Sequence, residues 1–240
     1  MKPVYILTSN LIGQRQKMTL AADNVANLTT PGHKGLDIDF RELVATKKNT
    51  EVGSFNINRG TRYDMMNGAF EKTDNPLDLS IQGENTFFGI LVNGRVQYTR
   101  NGHFQLDGAG NVTDDRGNPL VDLNGGAINI PAETEVIQIT ADGTIAGNDG
   151  PIANIGLFEF DNPQRLLRAG GSYITQDGDE PVVSLEAQVL QGFLESSNVS
   201  PVEETVRMTQ LARAYQSALR TVQGVEELEQ RTVRELARLP

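Results

Sequence analysis

The sequence contains no cysteine and no tryptophan, two histidines, and 6% aromatic residues in 240 positions. Without cysteine there is no thiol nucleophile, no Cys-ligated metal, no disulfide and no redox switch. The low aromatic content argues against one large compact core, although the length suffices for one or two domains without covalent staples. His33 and His103 each sit beside a turn glycine, with no second ligand at helical spacing, so neither reads as a metal ligand. No H-E-x-x-H, G-x-S-x-G or P-loop pattern occurs, and Gly108-Ala109-Gly110 lacks the rest of a dinucleotide fingerprint. Asp114-Asp115, followed by Gly117-Asn118, reads as a solvated turn rather than a catalytic carboxylate pair or a Ca²⁺ ligand set. No catalytic, metal or cofactor-binding residue is expected, and the chain does not read as an enzyme.

Long apolar runs are also lacking. No stretch of ~18 apolar residues appears, so membrane insertion is not expected. Lys2 is not followed by the apolar block of a secretory signal, because Gln14, Arg15, Gln16 and Lys17 interrupt it. Basic charge is scarce in the middle of the chain. The formal net charge is −10; residues 49–201 hold eight Lys/Arg against twenty-one Asp/Glu, whereas residues 1–48 hold seven against four. An acidic middle would repel phosphates, which argues against nucleic acid as a partner.

What the chain does have is an apolar repeat at both ends. Val4, Leu7, Leu11, Met18, Ala21, Val25 and Leu28 recur at spacings of three and four, broken only at Gln14. Met208, Leu211, Tyr215, Ala218, Val222 and Val225 repeat the device, resuming at Leu236 and Leu239 after a lapse at Glu229 and Thr232. Both read as coiled-coil a/d seams. The first helix is expected over 3–28, ending at Thr29-Thr30-Pro31-Gly32. The second opens with Ser200 as N-cap, Pro201 at the first helical position and Glu203 where a capping box places an acid. It could reach on the order of 55 Å at 1.5 Å per residue. A lone amphipathic helix is marginal in water, so such seams need neighbours.

Between them the pattern is β. Leu77 to Ile81 alternates with period two, Phe87 to Val92 is a short apolar run, and Gly94 turns the chain into Val96–Thr99. Asn101-Gly102 is expected to form a hairpin turn. Further short strands are expected at 128–130, 136–139 and 155–160. A second short helix is expected near 36–46, from Leu36, Phe40, Leu43 and Val44, with 47–75 extended. The fold class expected is α+β: an all-β central domain (76–199) flanked by terminal amphipathic helices (1–34 and 200–240) that form a coiled-coil-like α domain, with 35–75 as an extended linker.

Three separated motifs carry a resemblance. Ala22-Asp23-Asn24-Val25-Ala26-Asn27, continuing through Thr29-Thr30-Pro31-Gly32-His33-Lys34, resembles the N-terminal signature of the bacterial flagellar rod and hook proteins. Asp23 departs from the second position of that pattern, and His33 replaces its usual aromatic. Tyr98-Thr99-Arg100-Asn101-Gly102 with Phe104 and Asp107 resembles the family's mid-chain hairpin. Gln191-Gly192-Phe193-Leu194-Glu195-Ser196-Ser197-Asn198-Val199 and Arg213-Ala214-Tyr215 resemble its C-terminal motifs. The stretch from Ser197 to Glu203 is most similar to the proximal rod subunits, with the distal rod subunits or a soluble β-domain adaptor as alternatives.

The resemblance implies a structural subunit of the flagellar basal-body rod, transmitting torque for motility. It implies export without a cleaved signal through the flagellar type III apparatus into the periplasm. The partners implied are other rod proteins, further copies of the chain, and the export apparatus. The assembly interface would be the two seams: Val4, Leu7, Leu11, Met18, Val25 and Leu28 with Met208, Leu211, Tyr215, Ala218, Val222 and Val225. Asn24, Asn27, Gly32, Lys34 and Asn198 would be family-motif positions, with Asn24, Asn27 and the Thr-Thr-Pro-Gly turn fixing how the first helix ends.

Overall fold

The computed structural model describes residues 3–47, 50–176, 179–184 and 186–236. It divides into two compact units. Unit 1 comprises residues 1–26, 36–62 and 200–240, and unit 2 comprises residues 27–35 and 63–199. The protein is α+β, with two helices at the ends of the chain and a β core.

Unit 1 contains helix α1 (Pro3–Ala26), a two-stranded sheet of β1 (Leu36–Lys47) with β2 (Thr50–Tyr63), and helix α2 (Pro201–Leu236). Helix α1 packs against α2 and against β1. Asn24, in the last turn of α1, bonds Glu204 in the first turn of α2, so the two helices run antiparallel. Ser200 Oγ accepts from Glu203 N at 3.5 Å, and Glu203 and Glu204 place negative charge in the first turn of α2. Thr205, Thr209 and Thr221 each donate to the carbonyl four residues back, so their hydroxyls are satisfied on the helix surface.

The short helix expected near 36–46 is instead strand β1. Leu36, Ile38 and Phe40 also alternate with Asp37, Asp39 and Arg41. That period of two prevails over the helical spacing of Leu36, Phe40 and Leu43 because β2 is available to pair with it. The segment 35–75, expected as a linker, is shared: 36–62 belongs to unit 1 and 63–75 to unit 2. Helix α1 stops at Ala26, so Leu28 lies in the turn that follows it.

Unit 2 is built on a six-stranded sheet. Its strands lie in the order 167–169, 172–174, 95–99, 86–92, 157–159 and 182–183, each antiparallel to its neighbour. Alternation along 86–92 sends Phe88 and Ile90 into a core with Leu79, Ile81, Phe104, Leu120 and Ile155. Phe87 instead joins an aromatic cluster in which Tyr98, Phe160 and Tyr173 meet edge to face at 4.9–5.6 Å. Gly89 has no room for a side chain: a Cβ there would lie 2.5 Å from the Phe158 ring.

The tight hairpin falls at Asn93-Gly94, where both residues have positive φ (50° and 76°), as a type I′ turn requires. Asn101-Gly102, expected to form such a turn, has positive φ at neither residue. Gly102 is there for space, since a Cβ would fall 1.6 Å from the Leu79 carbonyl oxygen.

Asp107, Asp114 and Asp122 each open a loop in which the carboxylate accepts from backbone N–H groups two and four residues on. Between these loops Leu120 N donates to Val112 O, Ile128 N to Leu120 O, and Val112 N to Ile128 O. This closes a hydrogen-bonded ring of three buried residues spaced eight apart in sequence.

Candidate functional site

The family-motif residues fall into two groups, one in each unit. In unit 1, Asn24 is 3% exposed. Its Oδ1 accepts from Leu36 N at 2.9 Å, and its Nδ2 donates to Leu36 O at 3.0 Å and to Glu204 Oε1 at 3.2 Å. One amide side chain thus satisfies both backbone groups of the first residue of β1 and reaches α2. Only a group with an acceptor and a two-proton donor can do this, which explains asparagine here.

In unit 2, Lys34, Arg100 and Glu195 form a buried charge cluster. Lys34 Nζ donates to Glu195 Oε1 at 2.7 Å and to the Met66 and Met65 carbonyls at 2.8 and 3.3 Å. Arg100 donates to Glu195 Oε2 at 3.2 Å and to the carbonyls of Ile81, Gly83 and Glu84, and its guanidinium lies over the Phe87 ring. Glu195 Oε1 also accepts from Gly68 N at 3.0 Å. Burial lowers the pKa of both cations, and the Glu195 carboxylate opposes it. Two cations share one carboxylate, and backbone carbonyls take up further protons of Lys34 Nζ and of both Arg100 Nη groups, while the buried Arg100 Nε–H has no partner among the described residues.

The cluster fastens the turn that follows α1. Gly32 has φ 67° and donates to the Glu195 carbonyl at 2.7 Å; a Cβ there would lie 2.2 Å from the Arg100 carbonyl oxygen. Asn27 holds the start of the turn, accepting from Thr30 at its carbonyl and at Oδ1. Asn198 ties three strands of chain together. Its Oδ1 accepts from Gly35 N at 2.8 Å, and its Nδ2 donates to the carbonyls of Asp64 and Met66 at 2.9 and 3.0 Å. The chain passes between units at 26–27, 35–36, 62–63 and 199–200, and Asn198 ties together the unit 2 ends of the last three.

Sequence reasoning named Lys34 but missed Arg100 and Glu195 as its partners. A signal was present: Glu195 is the only ionisable residue between Gln191 and Val199. An acid within an apolar and small-residue run needs a buried cation.

The seam residues lie in the helices as follows. Leu11, Met18 and Val25 on α1 are half-buried, as are Met208, Leu211, Tyr215, Ala218, Val222 and Val225 on α2. Leu28 is half-buried in the turn of unit 2. Val4 and Leu7 belong to α1, but their side chains lie outside the described residues. Ile12, Val202, Val206 and Leu228 are exposed on the same two helices. Among the described residues no group of His, Asp and Glu could hold a metal ion, and no helix is long and apolar enough to cross a membrane.

Comparison with known proteins gives a consistent result. Residues 190–235 match the flagellar basal body rod FlgEFG protein C-terminal family, and residues 80–147 match the flagellar hook protein FlgE/F/G D1 domain. The chain is 31% identical over 216 residues to the flagellar basal-body rod protein FlgF of Mesorhizobium japonicum, covering 89% of each chain. It is 30% identical over 241 residues to FlgF of Caulobacter vibrioides, covering 98% of each. It is 27% identical over 256 residues to the flagellar basal-body rod protein FlgG of Buchnera aphidicola, covering 95% of this chain and 97% of that one.

Proposed function

This chain belongs to the flagellar basal-body rod protein family and is FlgF-like, and from that premise we propose how it is built into the rod. It is a structural subunit of the flagellar basal body, assembling with other rod and hook proteins. A structural role of this kind implies no turnover of substrate.

We infer that the chain occupies the proximal part of the rod and that its two seams are contacts between subunits. The observation that carries this reading is the half-burial of the seam. On α2 the residues at spacings of three and four, from Met208 to Val225, are each only partly covered although α1 packs against α2. Apolar side chains left half-covered along about 25 Å of helix retain a hydrophobic incentive for further neighbours. A coiled-coil-like bundle of terminal helices from several subunits would supply them and carry torque along its length. The family motifs fit this role. Asn24 fixes β1 to both helices, and the Lys34–Arg100–Glu195 cluster stiffens the turn after α1. The residues acting at the assembly interface would be the seam positions, with Asn24, Asn27, Gly32, Lys34 and Asn198 holding its geometry. Export would proceed through the flagellar type III apparatus without cleavage, placing the subunit in the periplasmic rod.

Leu11→Asp and Val222→Asp test this. A charge in a seam buried between subunits has no partner. Each variant should lose incorporation into isolated basal bodies, and with it motility, while the melting transition of unit 2 stays unchanged. Normal motility in either variant would refute the seam assignment. Mass spectrometry of the assembled protein should find the N-terminus at residue 1 or 2; a chain beginning some twenty residues later would refute the export route.

A further inference from the structure

Unit 2 carries a cationic cleft in an otherwise acidic module. Its volume is about 420 Å³, and it is walled by the turn after α1, the strand 95–99, the loop 114–118 and the hairpin 167–174. Arg116, Arg168 and His33 line it, together with Asp114 and Asp115. Asp114 is already engaged within its own loop, and Asp115 is exposed. The Asp114 carboxylate accepts from the N–H groups of Arg116 and Asn118 and from Asn118 Nδ2, and Asp115 faces His103 Nε2 at 3.6 Å.

Arg116 is not engaged in this way. Its guanidinium rests against Gly170 and Gly171, where a Cβ would come within 2.7 and 3.1 Å of it. Among the described residues no carboxylate pairs with it. Two consecutive glycines thus make room for an exposed guanidinium that lines the cleft and pairs with no acid among the described residues. A planar fork of donors at the mouth of a cleft is suited to a carboxylate.

The same chain contains a complementary element. From Gly117 to Gln164 there is no Lys, Arg or His, and there are seven Asp/Glu. Within this run Glu133 and Glu135 are exposed beside Val136, itself 55% exposed, and none of residues 131–154 lines the cleft. Copies of an acidic module placed side by side repel one another unless such a cation receives the negative surface.

We propose that the Arg116 cleft receives the Glu133–Val136 loop of a second copy of this chain, with the Glu135 carboxylate on the Arg116 guanidinium. The cleft and the loop are different surfaces, so the contact is head-to-tail. Head-to-tail contacts propagate into rings or helical assemblies instead of closing a twofold dimer. The proposal rests on the rod reading above and adds to it a contact between the β units.

The absence of native cysteine makes the test direct. R116C/E135C is produced as the full chain in place of the wild type, basal bodies are isolated and treated with a short bismaleimide, and the products are separated by mass. A ladder of cross-linked copies is expected, with none from either single variant. Incorporated chain that yields no ladder, or an adduct to a different rod protein, overturns the proposal. If R116C/E135C is not incorporated although the wild type is, charge reversal decides. R116E and E135R should each reduce incorporation about tenfold or more, and R116E/E135R should restore it. A double variant as poor as the singles overturns the proposal. If the wild-type chain itself is missing from basal bodies, the rod reading fails instead.

Discussion

Lys34 Nζ lies 2.7 Å from Glu195 Oε1, and both side chains are sealed from water although the residues are 161 positions apart. This ion pair joins the turn after α1 to the strand 193–195, one step before the chain leaves unit 2. Arg100 completes it from a third direction, so each charge is held by a different segment of chain.

Removing the shared acid should therefore be severe. Glu195→Ala leaves two buried cations facing each other with only carbonyls for company. Breaking a buried ion pair from one side costs about 3–5 kcal/mol. The melting temperature of unit 2, followed by the near-ultraviolet dichroism of its buried tyrosines, should fall steeply. Lys34→Met should be milder, because it removes a desolvated charge and leaves Glu195 paired with Arg100. Equal melting temperatures for the two variants would refute the shared-acid arrangement.

Asn24→Ala makes a local prediction within unit 1. It leaves the Leu36 N–H and carbonyl without their side-chain partner in a buried place, which costs about 1–3 kcal/mol per unsatisfied group. Amide hydrogen exchange at Leu36 should quicken, while exchange at Val112, Leu120 and Ile128 in unit 2 stays slow. Unchanged exchange at Leu36 would mean the amide contacts contribute nothing.

Two glycines should respond in opposite directions. Gly102→Ala drives a Cβ into the Leu79 carbonyl and should lower the stability of unit 2 by about 1–3 kcal/mol. Gly224 lies inside α2 with nothing within 4 Å of its Cβ direction, so Gly224→Ala should raise helix stability by about 1 kcal/mol. Thermal unfolding by far-ultraviolet dichroism for α2 and near-ultraviolet for unit 2 separates the two effects.

The helices were legible in the sequence because their signals are local. Ser200-Pro201 and the apolar spacing from Met208 to Val225 each state their own structure. The hairpin between strands 86–92 and 95–99 was legible at Gly94 for the same reason. Asn101-Gly102 misled because the dipeptide reports tolerance of positive φ, whereas Gly102 is required for close approach to a strand 23 residues earlier. The segment at Leu36–Lys47 satisfies two periodicities, and only its pairing with β2 decides between them. The charge cluster was the least legible feature. Lys34, Arg100 and Glu195 come from three distant motifs, and no spacing rule brings them together.

The pH dependence of unit 2 follows from its buried phenols. Burial raises the pKa of Tyr63, Tyr98 and Tyr173, Tyr173 most strongly. Below the ordinary tyrosine value of about 10 both folded and unfolded chains keep these protons, and the phenols add no pH dependence. Above it the unfolded chain releases them while the folded chain holds on, so the folded state binds more protons and stability falls as pH rises. Each such tyrosine contributes a slope of about −1.4 kcal/mol per pH unit until its folded pKa is reached. Lys34 acts in the opposite sense. Its pKa is lowered by burial, so it adds stability as pH rises from that lowered value to the ordinary 10.5 and nothing beyond. Denaturant unfolding between pH ~10.5 and ~11.5 isolates the phenols from Lys34. Tyr173→Phe should make the slope of stability against pH shallower by about 1.4 kcal/mol per unit in that window. An unchanged slope would show that the Tyr173 proton is not held by folding.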